Sequence, residues 1–290
     1  MPAPRIQSVR QYPRSAWPWW AGLLLALQVG PADAAFADAL TAFHAGDFGG
    51  ALAAFSGSAR AGNAASQFYL GVLYQHGWGV IADRAQAALW YQRAAAQGEP
   101  KAQHNLALLL LRGDGVPQDL DQARHWLVRA ATQGDARAAH ELGLLYYRGT
   151  GVPRDFNQAR AWWQRAAEAG DAHAAYDLGL LYRRGLGVAP DAAAARAWWE
   201  RAAHSGLALA QNALGACYMH GDGVVVDLPV AWAWFQLAAA GGLKVAAVNA
   251  EWLGAGLSMD ELTVAAQRLQ TLRQEITAAV ATADDPPARP

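Results

Sequence analysis

The strongest constraint on this chain is a pattern that returns every 36 residues. A loop of the form Gly-x-Gly-Val occurs five times at that step, an aspartate follows each loop, and a tryptophan comes seven residues after each aspartate. Self-similarity at one fixed step is typical of proteins built from stacked copies of a small unit. The aspartates are Asp83, Asp119, Asp155, Asp191 and Asp227, and the tryptophans are Trp90, Trp126, Trp162, Trp198 and Trp234.

Each copy has the pattern of two helices. Apolar side chains recur at helical spacing before the loop, and the tryptophan and its neighbouring alanines do so after it. Asp155 has Gln158 three residues on, which predicts a capping box at the start of the second helix, and Gly170 is placed to end that helix. One helical hairpin cannot bury both of its faces, so the copies must stack. The sequence therefore predicts an all-α fold, a right-handed α-solenoid superhelix of 36-residue helix-turn-helix repeats.

The flanks of the repeats differ from the repeats themselves. The five copies cover residues 64–243, and residues 35–63 predict a shorter helix pair that caps the N-terminal end. Residues 244–282 predict C-terminal capping helices, of which the last opens at Ser258 with a capping box. Residues 283–290 carry no apolar pattern and are expected to be a disordered tail.

The first 34 residues have the features of a secretory signal. Arg5, Arg10 and Arg14 precede Trp17–Val29, an apolar run of 13 residues that is short against the about 20 that span a membrane. An Ala-x-Ala sequence ending at Ala34 then predicts cleavage after that residue. We expect a periplasmic or secreted protein with no stable membrane span after cleavage. The alternatives are a retained N-terminal anchor or, with residues 1–34 uncleaved, an intracellular adaptor.

The chemistry of an enzyme is not evident in the sequence. The Gly-x-Gly-Val loop lacks the lysine and third glycine of phosphate-binding loops, and it follows a helix rather than a strand. His104 and His140 share one repeat position, but metal-binding spacing is absent around them. Cys217 is expected to be a small buried side chain on a helix. We predict a non-enzymatic protein with no cofactor and no metal, and the net charge of −1 gives no reason to expect nucleic acid as a partner.

The repeat resembles a known family. The pattern Leu-Gly-x-x-Tyr-x-x-Gly-x-Gly-Val, followed by Asp, Ala, Trp, Ala-Ala and Gly, resembles the Sel-one-like repeat, a relative of the tetratricopeptide repeat, which residues 35–63 resemble more closely. The resemblance implies a curved helical scaffold that binds other proteins, and exported bacterial members are similar to adaptors for envelope, cell-wall and polysaccharide machinery. One secreted branch with paired cysteines binds β-lactams. Because Cys217 is the only cysteine here, that activity is not carried over, and a β-lactam- or glycan-binding or hydrolysing protein stays as the alternative.

Partner binding is expected on the first helices, which line the concave face of such solenoids. We look there for positions that vary between copies while the signature residues stay fixed, because aromatic, Arg and Met side chains often anchor interfaces. Packing against the next repeat, or simple exposure to water, explains the same positions equally well. The candidate residues are Phe68, His104, His140 and Tyr176 in one row and Tyr147, Arg183 and Met219 in the other.

Two copies carry a second tryptophan. Trp162 and Trp198 belong to the recurring row and are expected in the core because of their periodicity. Trp163 and Trp199 stand outside that row. They either line a partner surface or pack inside the protein.

Overall fold

The computed structural model describes residues 31–284, and the side chains of residues 35–279. In that part of the chain there are fourteen helices and no strands, which confirms the predicted all-α solenoid. The helices are α1 (Pro31–His44), α2 (Phe48–Arg60), α3 (Ala64–His76), α4 (Arg84–Ala96), α5 (Pro100–Arg112), α6 (Leu120–Thr132), α7 (Ala136–Arg148), α8 (Phe156–Glu168), α9 (Ala172–Arg184), α10 (Ala192–His204), α11 (Ala208–His220), α12 (Leu228–Ala240), α13 (Lys244–Gly256) and α14 (Met259–Asp284).

Each helix packs mainly on the helix before it and the helix after it. We call α3, α5, α7, α9 and α11 the first helices of the five repeats, and α4, α6, α8, α10 and α12 the second helices. The last helix, α14, breaks the order because it packs on α12 and α10 instead of on α13. Contacts between neighbouring helices hold such an array together, so the side chains that each repeat presents to the next one decide its stability.

An aspartate begins the second helix of every repeat. The Asp155 carboxylate accepts from the backbone N–H groups of Asn157 and Gln158, at 2.8 and 3.1 Å. The second half of the predicted capping box is wrong here, because the backbone N–H of Asp155 donates instead to the carbonyl of Tyr146, 2.9 Å away. The aspartate therefore caps one helix and ties it to the helix before it. A complete box does form at Ser258, whose backbone N–H donates to Glu261 at 2.8 Å.

The Gly-x-Gly-Val loop turns the chain and packs on the preceding repeat. Gly149 ends α7 in the left-handed conformation, with a φ of 74°. Gly151 also has a positive φ of 68°, and a Cβ on it would lie 2.7 Å from the Cβ of Leu120, the first residue of α6. Glycine is required at this position by both its backbone conformation and its close contact. The loop therefore connects the two helices of its own repeat and also contacts the preceding repeat.

In the two repeats with adjacent tryptophans, the prediction of which one lies in the core was wrong. Trp163 and Trp199 are 2% and 1% exposed, whereas Trp162 and Trp198 are only half-buried. Trp163 lies against Gly143 on the first helix, where a Cβ would overlap the indole ring. Four of the five recurring tryptophans instead carry an arginine side chain over the ring, as Trp162 does with Arg165 at 4.7 Å. Trp163 and Trp199 therefore pack inside the protein and are not available to a partner.

Trp234 is the one recurring tryptophan that is buried in the described part of the chain, at 2% exposure. It belongs to α12, on which α14 packs, and Leu272 of α14 lies in the same apolar cluster. The final helix thus covers the second helices at the C-terminal end of the solenoid. It extends to Asp284, two residues into the predicted tail.

Both chain ends extend beyond the described residues. Of the predicted signal, residues 1–30 lie outside them, and α1 begins at Pro31. Of the predicted tail, residues 285–290 lie outside them as well. Among the helices of residues 31–284, none has both the length and the apolar character needed to cross a bilayer.

Candidate partner-binding surface

The first helices lie side by side and are linked by side-chain hydrogen bonds one repeat apart. His140 Nε2 lies 2.8 Å from Asp177 Oδ2, which joins α7 to α9. The amide nitrogen of Asn249 donates to Asn212 at 3.3 Å, which joins α13 to α11. The candidate residues on these helices therefore share one layer of the protein, which we call the first-helix layer. The same bonds also show that some of them already have a partner in the next repeat.

His104 does not belong to a partner surface. It is 5% exposed, and its Nδ1 has no hydrogen-bond partner among the described residues. Burial lowers the pKa of His104, because a charged ring would lose its hydration there. Its assignment as a partner-binding residue is corrected: the side chain is packed inside the protein, which is the alternative that the sequence had left open.

His140 occupies the same repeat position and has different surroundings. Burial disfavours its charged form, yet the hydrogen bond to Asp177 and the charges of Asp171, Asp177 and Glu141 together raise the pKa of His140 above its usual value. The ring of His173 lies 6.2 Å away, centroid to centroid. His140 is therefore half-buried and engaged in a link between repeats.

The aromatic candidates are also partly used in packing. The Phe68 ring lies 6.0 Å from the ring of Tyr91, and the Tyr176 ring lies 6.5 Å from that of Trp199. Tyr147 packs on Trp163 at 5.3 Å. Each of these side chains supports the second helix of its own repeat, and only part of its surface remains for a partner.

Arg183 and Met219 differ in what they leave exposed. The Arg183 side chain is 47% exposed, pairs with Asp222 at 3.0 Å and lies over the ring of Trp199 at 5.8 Å. Met219 is partly buried against the apolar cluster at the C-terminal end. Of the seven candidate residues, Arg183 presents the most accessible polar group, although Asp222 already contacts it.

The structure also brings together residues that were not singled out from the sequence. The last residue of each first helix is basic. The sequence alone did not mark these residues as functional, because a cation at that position also interacts favourably with the helix dipole. Among residues 35–279, no acidic side chain lies within ion-pair distance of Arg112 or Arg148. The five basic residues are His76, Arg112, Arg148, Arg184 and His220.

A cavity of about 360 Å³ lies between α5 and α7, and both arginines, Arg112 and Arg148, line it. Its walls are leucines, and its charged groups are two cations and one anion, which leaves it net positive. An apolar depression with unpaired guanidinium groups suits a ligand that carries both an apolar group and a carboxylate. We call it the Arg112–Arg148 surface, and it is lined by Leu108, Leu111, Arg112, Glu141, Leu144, Leu145, Arg148 and Thr150.

No reactive centre is visible in the described residues. Cys217 is 1% exposed on α11, and burial raises its pKa to about 11, so the thiol stays protonated near neutral pH. This confirms the expectation of a small buried side chain on a helix. Within residues 31–284, no three His, Cys, Asp or Glu side chains are grouped so that they could hold a metal ion.

The repeats identify the family. The Sel1 repeat model matches five consecutive segments, residues 64–99, 100–135, 136–171, 172–207 and 208–243, and the chain belongs to the Sel1 repeat family. Sel1 repeat proteins generally act as non-catalytic scaffolds for protein–protein interaction.

Two solved structures are similar to this chain over most of its length. The first is c5321, a protective antigen present in uropathogenic Escherichia coli strains, with 30% identity and a TM-score of 0.72 over 89% of this chain. The match spans 58% of the length of that antigen. The second is a Sel1 repeat protein from Oxalobacter formigenes, with 33% identity and a TM-score of 0.66 over 71% of this chain and 84% of that one. A comparison with curated protein sequences gave no match.

Proposed function

We propose that this protein is a non-enzymatic scaffold or regulatory adaptor of the bacterial cell envelope that binds a protein partner through its first-helix layer. The observation that carries the proposal is the Arg112–Arg148 surface, a leucine-lined cavity of 360 Å³ flanked by two arginines without an ion-pair partner among the described residues. Buried or half-buried apolar depressions beside free guanidinium groups are where interfaces place their anchors.

The chemistry of this surface favours an acidic segment of the partner. Leu108, Leu111 and Leu144 can bury an apolar side chain of the segment, while Arg112 and Arg148 can each bind a carboxylate through two parallel hydrogen bonds. Arg183 extends the basic character along the same layer, although it already pairs with Asp222.

Location in the envelope rests on the leader-like sequence of residues 1–34. Its three arginines, apolar run and Ala-x-Ala end have the order of a secretory signal. The mass of the protein's N-terminus, measured from fractionated cells, tests this part: an N-terminus at Ala35 in the periplasmic fraction supports it, and an intact residue 1 in the cytoplasm contradicts it. The secreted β-lactam-binding alternative gains no support, since Cys217 is the only cysteine of the chain.

Charge reversal tests the binding surface. We expect that crosslinking in the native envelope followed by affinity capture recovers a specific protein partner with the unaltered chain. Arg112→Glu combined with Arg148→Glu should reduce that recovery by about tenfold or more, because a like charge replaces each guanidinium. Circular dichroism should show an unchanged helix content, since neither side chain supports the core.

The matched control carries the same charge change elsewhere. Arg60→Glu combined with Arg273→Glu alters two exposed arginines outside the first-helix layer and should leave recovery unchanged. Equal loss of recovery in both double variants would mean that the effect comes from net charge alone. Undiminished recovery with Arg112→Glu and Arg148→Glu would contradict the assignment of this surface.

A further inference from the structure

A second cavity lies between the second helices of the first two repeats. It has a volume of about 450 Å³ and is bounded by α4, α6 and the loop before α6, with two leucines of α5 at its base. Its walls are mostly apolar, and glutamine amides stand along its edge. The residues that shape it are Ala88, Leu89, Gln92, Leu106, Leu110 and Trp126.

The cavity exists because the first repeat lacks a side chain that the later repeats have. Ala88 stands at the position that Arg124, Arg160, Arg196 and Trp232 occupy in the other second helices. Where α10 meets α12, the arginine crosses the equivalent space. Its Nε donates to the carbonyl of Gly223 at 3.3 Å, and Gly223 is the counterpart of Gly115, which lines the cavity.

The position one helical turn later also differs between the first repeat and the fourth. Glu200, one turn after Arg196, accepts from the arginine at 2.9 Å and completes a pair that fills the α10–α12 interface. The counterpart of Glu200 is Gln92, whose amide makes no side-chain hydrogen bond within the described part of the chain. An ion pair of the later repeat is thus replaced by a methyl group and a free amide.

A side chain at the base of the cavity is also smaller than its counterparts in the other repeats. Leu110 stands where the other first helices have Tyr74, Tyr146, Tyr182 and Tyr218. At the mouth, Leu89 is 48% exposed, an unusual cost for a large apolar side chain next to a cavity. Two helices, α4 and α5, therefore depart from the repeat pattern at the same place, and both departures enlarge or expose an apolar space.

Size and polarity define what would occupy this space. A cavity of about 150 Å³ lined by apolar side chains is enough to bind benzene, so 450 Å³ suits a molecule of two or three rings. The one charged side chain of the lining, Asp119, already accepts from the backbone and the side chain of Gln122, at 2.9 and 2.8 Å. No charge is left for an ionic ligand, and the Gln92 amide can meet one polar group.

We propose that this cavity, which we call the Ala88 pocket, is a binding site for a neutral, largely apolar small molecule of two or three rings with one hydrogen-bonding group. It lies on the second helices, separate from the Arg112–Arg148 surface. The two sites share α5, since Leu106 and Leu110 line the pocket while Leu108 and Leu111 line the other surface.

The test uses N-phenyl-1-naphthylamine, a neutral fluorescent probe of the right size, with the purified protein. We expect saturable binding at one site per chain. Ala88→Arg combined with Gln92→Glu copies the Arg196–Glu200 pair into the pocket and should weaken binding by about tenfold or more. Leu110→Tyr restores the residue of the other repeats and should weaken it as well. Anilinonaphthalene sulfonate, which has the same rings and a negative charge, should bind at least about tenfold more weakly.

The control is Ala161→Arg, which adds an arginine at an exposed position of α8 and should leave probe binding unchanged. Thermal melting separates loss of the site from loss of the fold: if the double variant melts early, Leu110→Tyr alone decides. Absence of saturable binding, binding that survives in both pocket variants, or equal binding of the two probes would each overturn the proposal.

Discussion

The second repeat, residues 100–135, and the third, residues 136–171, have helices of the same length and fill the space between them differently. The third repeat pairs Gly143 with Trp163, and the second has Ala107 and Leu127 at the matched positions. The larger ring goes with the smaller partner, so the sizes of the two side chains change in opposite directions between the repeats. We call such a pair, in which one side chain is larger where its partner is smaller, a compensating pair.

The pair that contains a tryptophan also forms a hydrogen bond that the other pair cannot form. Trp163 Nε1 donates to the carbonyl of His140 at 3.1 Å, and Trp199 does the same to Tyr176 at 3.1 Å in the next repeat. Leu127 has no group that could do this. The third and fourth repeats thus tie their two helices together with a polar contact inside the core, which the second repeat lacks.

The largest effect we expect is from removing the buried indole. Trp163→Ala should lower the free energy of unfolding by about 3–5 kcal/mol, because it deletes a large buried side chain and leaves a cavity. Trp162→Ala, one residue earlier, should cost about 1 kcal/mol, because that ring is half-buried under Arg165. Urea denaturation followed by circular dichroism measures both. Equal losses would contradict the assignment of Trp163, not Trp162, to the core.

A smaller effect should follow from exchanging the compensating pair one residue at a time. Gly143→Ala places a methyl group into the indole of Trp163 and should cost about 1–3 kcal/mol. Adding Trp163→Leu copies the pair of the second repeat and should cost less than the sum of the two single changes. The same denaturation experiment gives this coupling, and strict additivity would show that the two positions do not share one space.

Local backbone requirements explain why so much of the fold was predictable. Gly149 and Gly151 need positive φ, and Asp155 caps a helix, so each leaves a mark in the sequence wherever the turn occurs. Burial of a side chain does not require one particular residue type in the same way. Trp162 and Trp163 both fit helical spacing, and the contact between Trp163 and Gly143 on the facing helix is seen only in the structure.

The candidate surface was harder to predict for the same reason. Variation along the first helices led us to propose this layer, but His104 is buried there and Arg148 is exposed, and the sequence of each helix alone does not show this difference. The Ala88 pocket had a readable signal, since an alanine among arginines at one repeat position marks a missing side chain. Comparing copies with each other shows where the contents differ, and the three-dimensional contacts then show which differences open a space.

The two matched histidines offer the smallest and most specific test of the comparison. The folded-state pKa of His140 is raised above the usual 6.5, so its contribution to stability is fully present below about 6.5 and is lost as the pH rises through the folded pKa. The folded-state pKa of His104 is lowered, so its contribution is present above 6.5 and is lost as the pH falls toward the folded pKa. Acidification should therefore strengthen one repeat junction and weaken the other.

Two substitutions separate these opposing contributions. Asp177→Asn removes the closest carboxylate of His140 and leaves Asp171 and Glu141 in place, so the variant should lose more stability, relative to the unaltered protein, at pH 5.5 than at pH 8. His104→Phe, which copies Phe68 from the first repeat, should do the reverse, because it removes a ring that resists protonation while buried. Melting temperatures of both variants across this range measure the effect, and parallel curves for the two would mean that the histidines, despite their different surroundings, titrate alike.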